Sequence, residues 1–229
     1  MGNCFLVIAA HPDDEVLGCG GSMAKWSNEG NNVHILIMAE GATSRDKTRD
    51  RESRKADLSY LADSAKKAGK ILCAESVKLL NYPDNRMDSV DMLDVVKSIE
   101  QHIDKIKPEM VVTHHSGDLN IDHQIIHQAV MVACRPQPDH SVKRILSFEV
   151  PSSTEWNSPN VKSVFIPNWF ENISDTLKLK IKALEAYGSE MREWPHSRSL
   201  KAVKHHACWR GASVGCDAAE AFMLNRFIN

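Results

Sequence analysis

Residues 4–39 read CFLVIAAHPDDEVLGCGGSMAKWSNEGNNVHILIMA, two continuous apolar runs separated by a glycine-containing segment of helical length. The runs at 4–10 and 33–39 have the length and composition of buried strands, and residues 20–30 fit a helix that Gly30 ends. Two parallel strands need a crossover connection of this kind between them. The stretch therefore predicts a βαβ unit, the building block of an α/β fold.

The alternation of strand and helix continues along the chain. Apolar runs predict two further strands at 76–80 and 109–113, and apolar residues three and four apart predict helices at 52–69, 90–106 and 122–133. Asp122 is the expected N-cap of the last of these helices. Since crossovers between parallel strands are right-handed, we expect a Rossmann-like, mostly parallel sheet flanked by helices.

The second part of the chain has a different character. Residues 148–173 are rich in aromatic side chains and proline, which predicts strands and loops, and helical spacing follows at 177–191. The last stretch, DAAEAFMLNRF at 217–227, is also predicted to be helical. No linker or repeat divides the chain, so we expect one domain over 1–229, with a core at about 1–150 and a C-terminal elaboration at about 151–229.

The composition is that of an ordinary globular protein of 229 residues, 42% hydrophobic and 25% charged. A formal net charge of −2 argues against a nucleic-acid partner, which requires clustered Lys and Arg. No apolar stretch approaches the roughly 18 residues of a membrane-spanning helix, so we expect no membrane insertion. The six cysteines contain no C-x-x-C pair, a usage that favours a reducing, cytoplasmic location.

Polar clusters follow each of the first four predicted strands. They are HPDDE at 11–15, EGATSR at 40–45, NYPDNR at 81–86 and HHSGDLNIDH at 114–123. The carboxyl ends of parallel strands lie at one edge of the sheet, and this edge binds ligands in open α/β folds. The four clusters are therefore expected to converge in space.

The first and fourth clusters contain the ligand types of a catalytic zinc site. His11, one of Asp13 and Asp14, and an imidazole of the fourth cluster would supply three protein ligands. The remaining aspartate would be free to act as a general base toward water. Alternatively, the two aspartates cap a helix and the histidine is a turn residue. The position at a strand end, opposite a second His and Asp cluster, favours the metal site.

These residues carry a resemblance to a known family. AAHPDDEVLGCGG at 9–21, together with the distant DLNIDH at 118–123, resembles the PIG-L/LmbE-like family of zinc-dependent N-deacetylases, whose signature is A-H-P-D-D-E. The similarity extends to YPDNRMD, PHSRS and the terminal AAEAFMLNRF. The resemblance implies a single Zn²⁺ per chain held by His11, Asp14 and His123, with Asp13 as general base.

The distant loop leaves two questions open. His127 lies four residues after His123 and would share its helix face, so the spacing alone permits two ligands there, although the family pattern implies only His123. Asp122 either orients an imidazole through a hydrogen bond or caps the helix, and the two roles are compatible. We expect Asp122 to lie outside the metal ligands and His127 to be a structural or near-site residue.

One position departs from the family pattern. Several members read His-Pro-Asp-His where this chain has Asn120 as the first of the four residues. An amide can donate a hydrogen bond to a developing oxyanion but cannot supply a proton. The proton for the leaving amine then comes from Asp13, with assistance from His196, or from His114 or His115.

Four further residues are predicted to bind substrate, each with a plainer alternative. Arg45 and the pair Asp84 and Arg86 follow predicted strands and could hold sugar hydroxyls or an anion; Arg198 occurs in WPHSRS. Solvated charge, a turn and an ordinary surface loop are the alternatives.

The resemblance implies a hydrolase that removes an acetyl group from an N-acetylated amino sugar or sugar conjugate, nucleotide sugars and glycan precursors among them. The residues alone support hydrolysis at a metal centre. Two alternatives are a phosphoesterase-like hydrolase whose aspartates hold magnesium or manganese, and a non-catalytic sugar-binding protein. The partner that the resemblance implies is a small-molecule amino-sugar substrate. The aromatic NWFENI at 168–173 belongs either to the interface of a homo-oligomer or to the cover of the sheet.

Overall fold

The computed structural model describes residues 2–161 and 163–229. Its centre is a seven-stranded sheet with the order β3-β2-β1-β4-β5-β7-β6, in which β1 to β5 are parallel and β7 runs antiparallel to β5 and β6. The strands are β1 (Cys4–Ala9), β2 (Asn32–Ala39), β3 (Ser76–Tyr82), β4 (Met110–His114), β5 (Arg144–Phe148), β6 (Trp169–Asn172) and β7 (Ala219–Phe227).

Helices cover both faces of this sheet, as the expected Rossmann-like architecture requires. They are α1 (Asp14–Asn28), α2 (Lys55–Ile71), α3 (Met92–Ile106), α4 (Ile121–Ala133), α5 (Leu177–Glu185) and α6 (Leu200–Ala212). Within the described ranges, no helix combines the length and the apolar character needed to cross a membrane.

The alternation of side chains along β1 explains its continuous apolar run. Phe5 and Val7 point into the core formed with α1, α2, α5 and α6, whereas Leu6 and Ile8 point into the core formed with α3 and α4. A strand buried on both faces needs apolar residues at every position. Trp169, in the aromatic NWFENI segment, packs against the first of these cores and so helps to cover the sheet.

The strand order creates a crevice beside β1. The chain moves outward from β1 to β2 and β3, then returns to place β4 on the other side of β1. At such a switch point the loops that leave two adjacent strands separate and open a binding crevice. The loops after β1 and β4 carry the first and fourth polar clusters, so the topology brings these clusters together.

Three helix predictions were wrong. The helix predicted at 217–227 is instead strand β7 from Ala219 to Phe227, because the open edges of β5 and β6 pair with this segment and outweigh the helical propensity of its Ala, Glu, Met and Leu residues. Helix α1 begins at Asp14, six residues before the predicted start, because its glycines conceal the helical pattern; its backbone leaves helical angles at Cys19. Helix α5 ends at Glu185, and α6 was not predicted.

Candidate metal centre and active site

The loop after β1 turns directly into α1 and buries three consecutive carboxyl groups. Asp13 precedes the helix with φ 119° and ψ −29°, and Asp14 is the first helical residue. Asp13, Asp14 and Glu15 are at most 2% exposed. Since buried carboxylates are costly without partners, each of them must be held by a specific contact or ion.

His11, Asp14 and His123 offer ligand atoms around one point. His11 Nδ1 lies 3.2 Å from Asp14 Oδ2, His123 Nε2 lies 3.1 Å from the same oxygen, and one ligand atom of each residue lies within 4.8 Å of the others. Asp14 Oδ1 and His123 Nε2 are buried and make no hydrogen bond. Two imidazole nitrogens and a carboxylate are a donor set of catalytic zinc. The three residues predicted as ligands therefore fit this metal.

Asp122 holds the opposite side of the His11 ring. Its Oδ2 lies 3.0 Å from His11 Nε2, and its two oxygens accept the backbone N–H groups of Asn85 and Met87 at 2.7 and 2.9 Å. A carboxylate in this position fixes the tautomer and the plane of a ligating imidazole. The capping alternative is wrong, because α4 begins at Ile121 and its N-cap is Asn120, whose Oδ1 accepts the N–H of Asp122 at 2.9 Å.

A second cluster, His11 with Asp84 and Asp122, also brings three possible metal-ligand atoms together. Its carboxylates already have donors. Asp122 accepts the two backbone N–H groups named above, and Asp84 accepts the N–H of Ser44 at 2.9 Å and the amide of Asn85 at 2.9 Å. The cluster is therefore best described as the hydrogen-bonded surroundings of His11.

The sequence analysis missed Asp118, which holds the other imidazole. Asp118 Oδ1 lies 3.1 Å from His123 Nδ1, and the hydroxyl groups of Ser153 and Thr154 donate to its two oxygens. It stands five residues before His123 in DLNIDH, and its acidic character was the only available signal. Each candidate imidazole ligand thus has its own carboxylate.

Asp13 is a buried carboxyl group that lies between the candidate ligands His11 and Asp14 in the chain and is not itself one of them. Its Oδ2 lies 3.0 Å from Arg198 Nη1, and Arg198 is itself fixed by Nε donating to Ser152 Oγ at 2.8 Å. Burial raises the pKa of Asp13 well above its ordinary value, the Arg198 charge opposes this, and the Asp14 charge adds to it. A carboxyl group with a perturbed pKa beside a metal site is a candidate general base.

A polar cleft opens in front of these residues. It has a cavity volume of about 210 Å³ and is open to solvent. Arg45 lies on its wall and is held by Glu190 at 2.7 and 2.9 Å. Six of the predicted site residues line the cleft: His11, Asp13, Arg45, Asp84, Asn120 and Arg198.

Five predicted site residues lie outside the residues that line this cleft: Asp14, His123 and Asp122, described above, and Arg86 and His196. Arg86 donates to the backbone carbonyls of Asp46 and Lys47, both at 3.0 Å, and so fastens the loop before α2. His196 accepts the N–H of Arg198 at 3.0 Å through Nδ1 and packs against Trp156. The geometry gives both residues a structural contact behind the cleft wall.

The other histidines near β4 are occupied by structural contacts. His114 Nε2 accepts the N–H of Ala10 at 2.8 Å, and burial, reinforced by the charge of His123, lowers the pKa of His114 well below its ordinary value. His115 Nε2 lies 3.0 Å from the carbonyl of Ser163. His127 Nδ1 bonds the carbonyl of His114 at 2.9 Å and is absent from the candidate ligand groups of the described residues.

Asn120 is held on both sides of its amide. While Oδ1 caps α4, Nδ2 donates to Asn85 Oδ1 at 2.7 Å. This contact leaves one amide proton for a group bound in the cleft.

Comparison with known proteins identifies relatives over most of the chain. The family described as "PIG-L: GlcNAc-PI de-N-acetylase" matches residues 6–134. The uncharacterized deacetylase YaiS of Escherichia coli is 32% identical over 191 residues, which cover 81% of this chain and 90% of YaiS.

Solved structures show the same fold at lower identity. N,N'-diacetylchitobiose deacetylase from Pyrococcus horikoshii superposes with a TM-score of 0.77 at 19% identity, over 98% of this chain and 84% of its own. GalB, the 4-carboxy-2-hydroxymuconate hydratase of Pseudomonas putida, has a TM-score of 0.76 at 22% identity, over 99% of this chain and 97% of GalB. Because a deacetylase and a hydratase share the fold, the chemistry must be argued from the side chains.

Proposed function

Because the chain belongs to the PIG-L family, we propose that it is a zinc-dependent hydrolase that removes the acetyl group from an N-acetylated amino sugar or sugar conjugate. One observation carries the proposal. His11, Asp14 and His123 converge on one point, and the buried Asp13, which lies between His11 and Asp14 in the chain, lines the cleft together with His11. One Zn²⁺ per chain is proposed at these three residues.

The protein's own residues supply binding and proton transfer. Bound zinc would polarise the amide carbonyl and lower the pKa of the attacking water. Asp13 accepts the proton of that water while the oxygen attacks the carbonyl carbon, and it then delivers the proton to the amine nitrogen as the C–N bond breaks. Acetate and a free amine leave the cleft. Arg198 holds the Asp13 carboxylate in place, and the Asn120 amide donates toward the developing oxyanion.

The proposed substrate follows from the character of the cleft. Its walls carry the hydrogen-bonding groups of Arg45, Asp84 and Arg198, which suit the hydroxyl groups of an amino sugar. The cleft is open to solvent, so a group linked to the sugar can extend out of it, and nucleotide sugars and glycan precursors are included among the proposed substrates. Proton delivery is assigned to Asp13, since His196 lies outside the cleft lining.

The test is acetate release by the zinc-loaded protein from free, nucleotide-linked and oligomeric N-acetyl amino sugars. Asp13→Asn keeps the size of the side chain and removes the base, so turnover should fall by about 10²- to 10⁴-fold. The matched control is Asp63→Asn, at an exposed carboxylate on α2, which should leave turnover unchanged.

Each alternative has its own outcome. Acetate release that is indifferent to Asp13→Asn would contradict the assigned base. Phosphate release from phosphorylated sugars with magnesium would support the phosphoesterase, and tight sugar binding without turnover would support a binding protein.

A further inference from the structure

Asp13, the proposed base, has a backbone conformation that side-chain-bearing residues rarely adopt. Its φ of 119° lies in the left-handed region, where the Cβ atom is crowded by the backbone. Such a conformation persists only when neighbouring contacts over-determine it, and strain of this kind is concentrated at functional sites. The contacts that hold Asp13 therefore bear on its role.

The backbone of Asp13 is held on both sides. Its carbonyl accepts the N–H groups of Val16 and Leu17 at 3.1 and 2.9 Å, which are the first hydrogen bonds of α1. Its own N–H donates to Glu15 Oε2 at 3.1 Å. Glu15, the last residue of the HPDDE cluster, is thus the partner of the strained peptide group.

Glu15 has no other evident task. Among the described residues it belongs neither to the candidate ligand groups nor to the cleft lining, and it is 1% exposed. Its second oxygen, Oε1, accepts the hydroxyl of Tyr187 at 2.6 Å. A buried carboxylate with both oxygens bonded in this way is fixed in one orientation.

Tyr187 connects this pair to the far wall of the cleft. It is fully buried just after α5, and its carbonyl accepts the N–H of Glu190 at 2.8 Å. Glu190 in turn holds Arg45 on the cleft wall. The orientation of Glu15 is therefore set by a segment that lies 172 residues away in the chain.

We propose that Glu15 and Tyr187 are positioning residues that hold Asp13 in its left-handed conformation and so aim its carboxylate into the cleft. The inference rests on the proposed function, in which Asp13 is the base. A base displaced by about 1 Å from its productive position can lose on the order of 10² in rate.

Four variants test the pair. Glu15→Leu removes the acceptor of the Asp13 N–H, Tyr187→Phe removes the donor to Glu15, and Glu15→Gln keeps an oxygen that can accept the N–H. The control is Tyr82→Phe, which removes a hydroxyl bonded to Ser98 Oγ and the Asp94 carbonyl, away from Asp13.

Two readouts are measured on each zinc-loaded variant: kcat and KM for the acetylated substrate, and hydrogen exchange of the Asp13 amide by NMR. Glu15→Leu and Tyr187→Phe should lower kcat by about 10- to 100-fold. Their KM should stay within about twofold of the wild type, because neither residue lines the cleft. Glu15→Leu should also speed Asp13 amide exchange by at least about 10-fold. Glu15→Gln should have a kcat and an Asp13 amide exchange rate close to those of the wild type. Tyr82→Phe should match the wild type in both measurements.

The two readouts separate the two proposals. A wild-type protein that releases no acetate would contradict the proposed function, while the exchange of the Asp13 amide still decides whether Glu15 holds it. An unchanged exchange rate of the Asp13 amide in Glu15→Leu would overturn the positioning role. If the wild type is active, an unchanged kcat in Glu15→Leu and Tyr187→Phe would overturn it as well. Should Glu15→Leu not fold, Tyr187→Phe supplies the same kcat comparison with a smaller change.

Discussion

At the residue scale, the imidazoles of His11 and His123 each face a carboxylate, Asp122 in the first turn of α4 and Asp118 in the loop before that helix. Asp122 bonds His11 and Asp118 faces His123, at 3.0 and 3.1 Å. A carboxylate that accepts the outer ring N–H directs the other nitrogen's lone pair toward the metal and makes it more basic. Asp118 is held by the hydroxyl groups of Ser153 and Thr154 and by the backbone N–H of Asn120, which donates to its Oδ1 at 2.9 Å.

Asp118→Asn should weaken zinc binding by about 10- to 100-fold, because the amide cannot supply the negative charge that stabilises the ring N–H of His123. The measurement is competition with a chromophoric zinc chelator at pH 7. The exposed Asp104→Asn on α3 is the control and should bind zinc as the wild type does. Equal affinities for Asp118→Asn and the wild type would show that His123 is not a ligand or is oriented by other contacts.

At the element scale, α1, α5 and β7 are joined by one buried ion pair. Lys180 on α5 and Glu220 on β7 are both 4% exposed, with Nζ 2.6 Å from Oε1. Glu220 also accepts the backbone N–H groups of Gly21 and Ser22 on α1, at 2.9 and 2.7 Å. The glycines of α1 allow this helix to pack closely against its neighbours. A Cβ on Gly18, for example, would overlap the ring of Phe148 on β5.

Lys180→Met should lower the free energy of unfolding by about 3–5 kcal/mol, because it leaves the Glu220 charge buried without its cation. Urea denaturation at pH 7 measures the change. Lys182→Met, at an exposed position of the same helix, should change it by less than about 0.5 kcal/mol. The double variant Lys180→Met/Glu220→Gln should regain part of the loss. A loss as large in the double variant would indicate missing packing rather than an unpaired charge.

At the scale of the whole molecule, the loss of stability at low pH can be assigned to an ion pair between the sheet and α6. Glu149, at the end of β5, accepts from Arg210 on α6 at 2.8 and 2.7 Å, and His206 Nε2 lies 3.4 Å away. Burial by itself raises the pKa of Glu149, but the hydrogen bonds and charges of His206 and Arg210 outweigh it and lower the pKa below the ordinary value. The ionised form is therefore favoured by folding.

A carboxyl group whose pKa is lower in the folded protein stabilises the fold above the unfolded pKa, and this contribution is lost as the pH falls through the folded pKa. Glu149→Gln should thus cost about 1–3 kcal/mol at pH 7. The difference from the wild type should shrink below about pH 4.3, the ordinary pKa of Glu. Urea denaturation of both proteins between pH 7 and pH 3 measures it. A difference that is independent of pH would show that the charge of Glu149 does not contribute.

Much of the parallel part of the molecule could be predicted from the sequence. Strands β1, β2, β3 and β4 are predicted from apolar runs, and α2 and α3 from apolar residues at helical spacing, whereas the glycines of α1 conceal its first turns. The closeness of His11 and Asp14 follows from a single turn. The approach of His123 follows from the rule that loops after parallel strands share one edge.

The tertiary structure alone decided the rest. Strand β7 has a helical composition and became a strand only because β5 and β6 offered free edges on both sides. Arg198 reaches Asp13 across 185 residues, and Tyr187 reaches Glu15 across 172. Sequence patterns report periodicity over a few turns, and they carry no signal for a contact between single polar side chains so far apart. The sequence by itself therefore determined the sheet edge and the ligand types of the site, whereas the fold selected the partners that orient them.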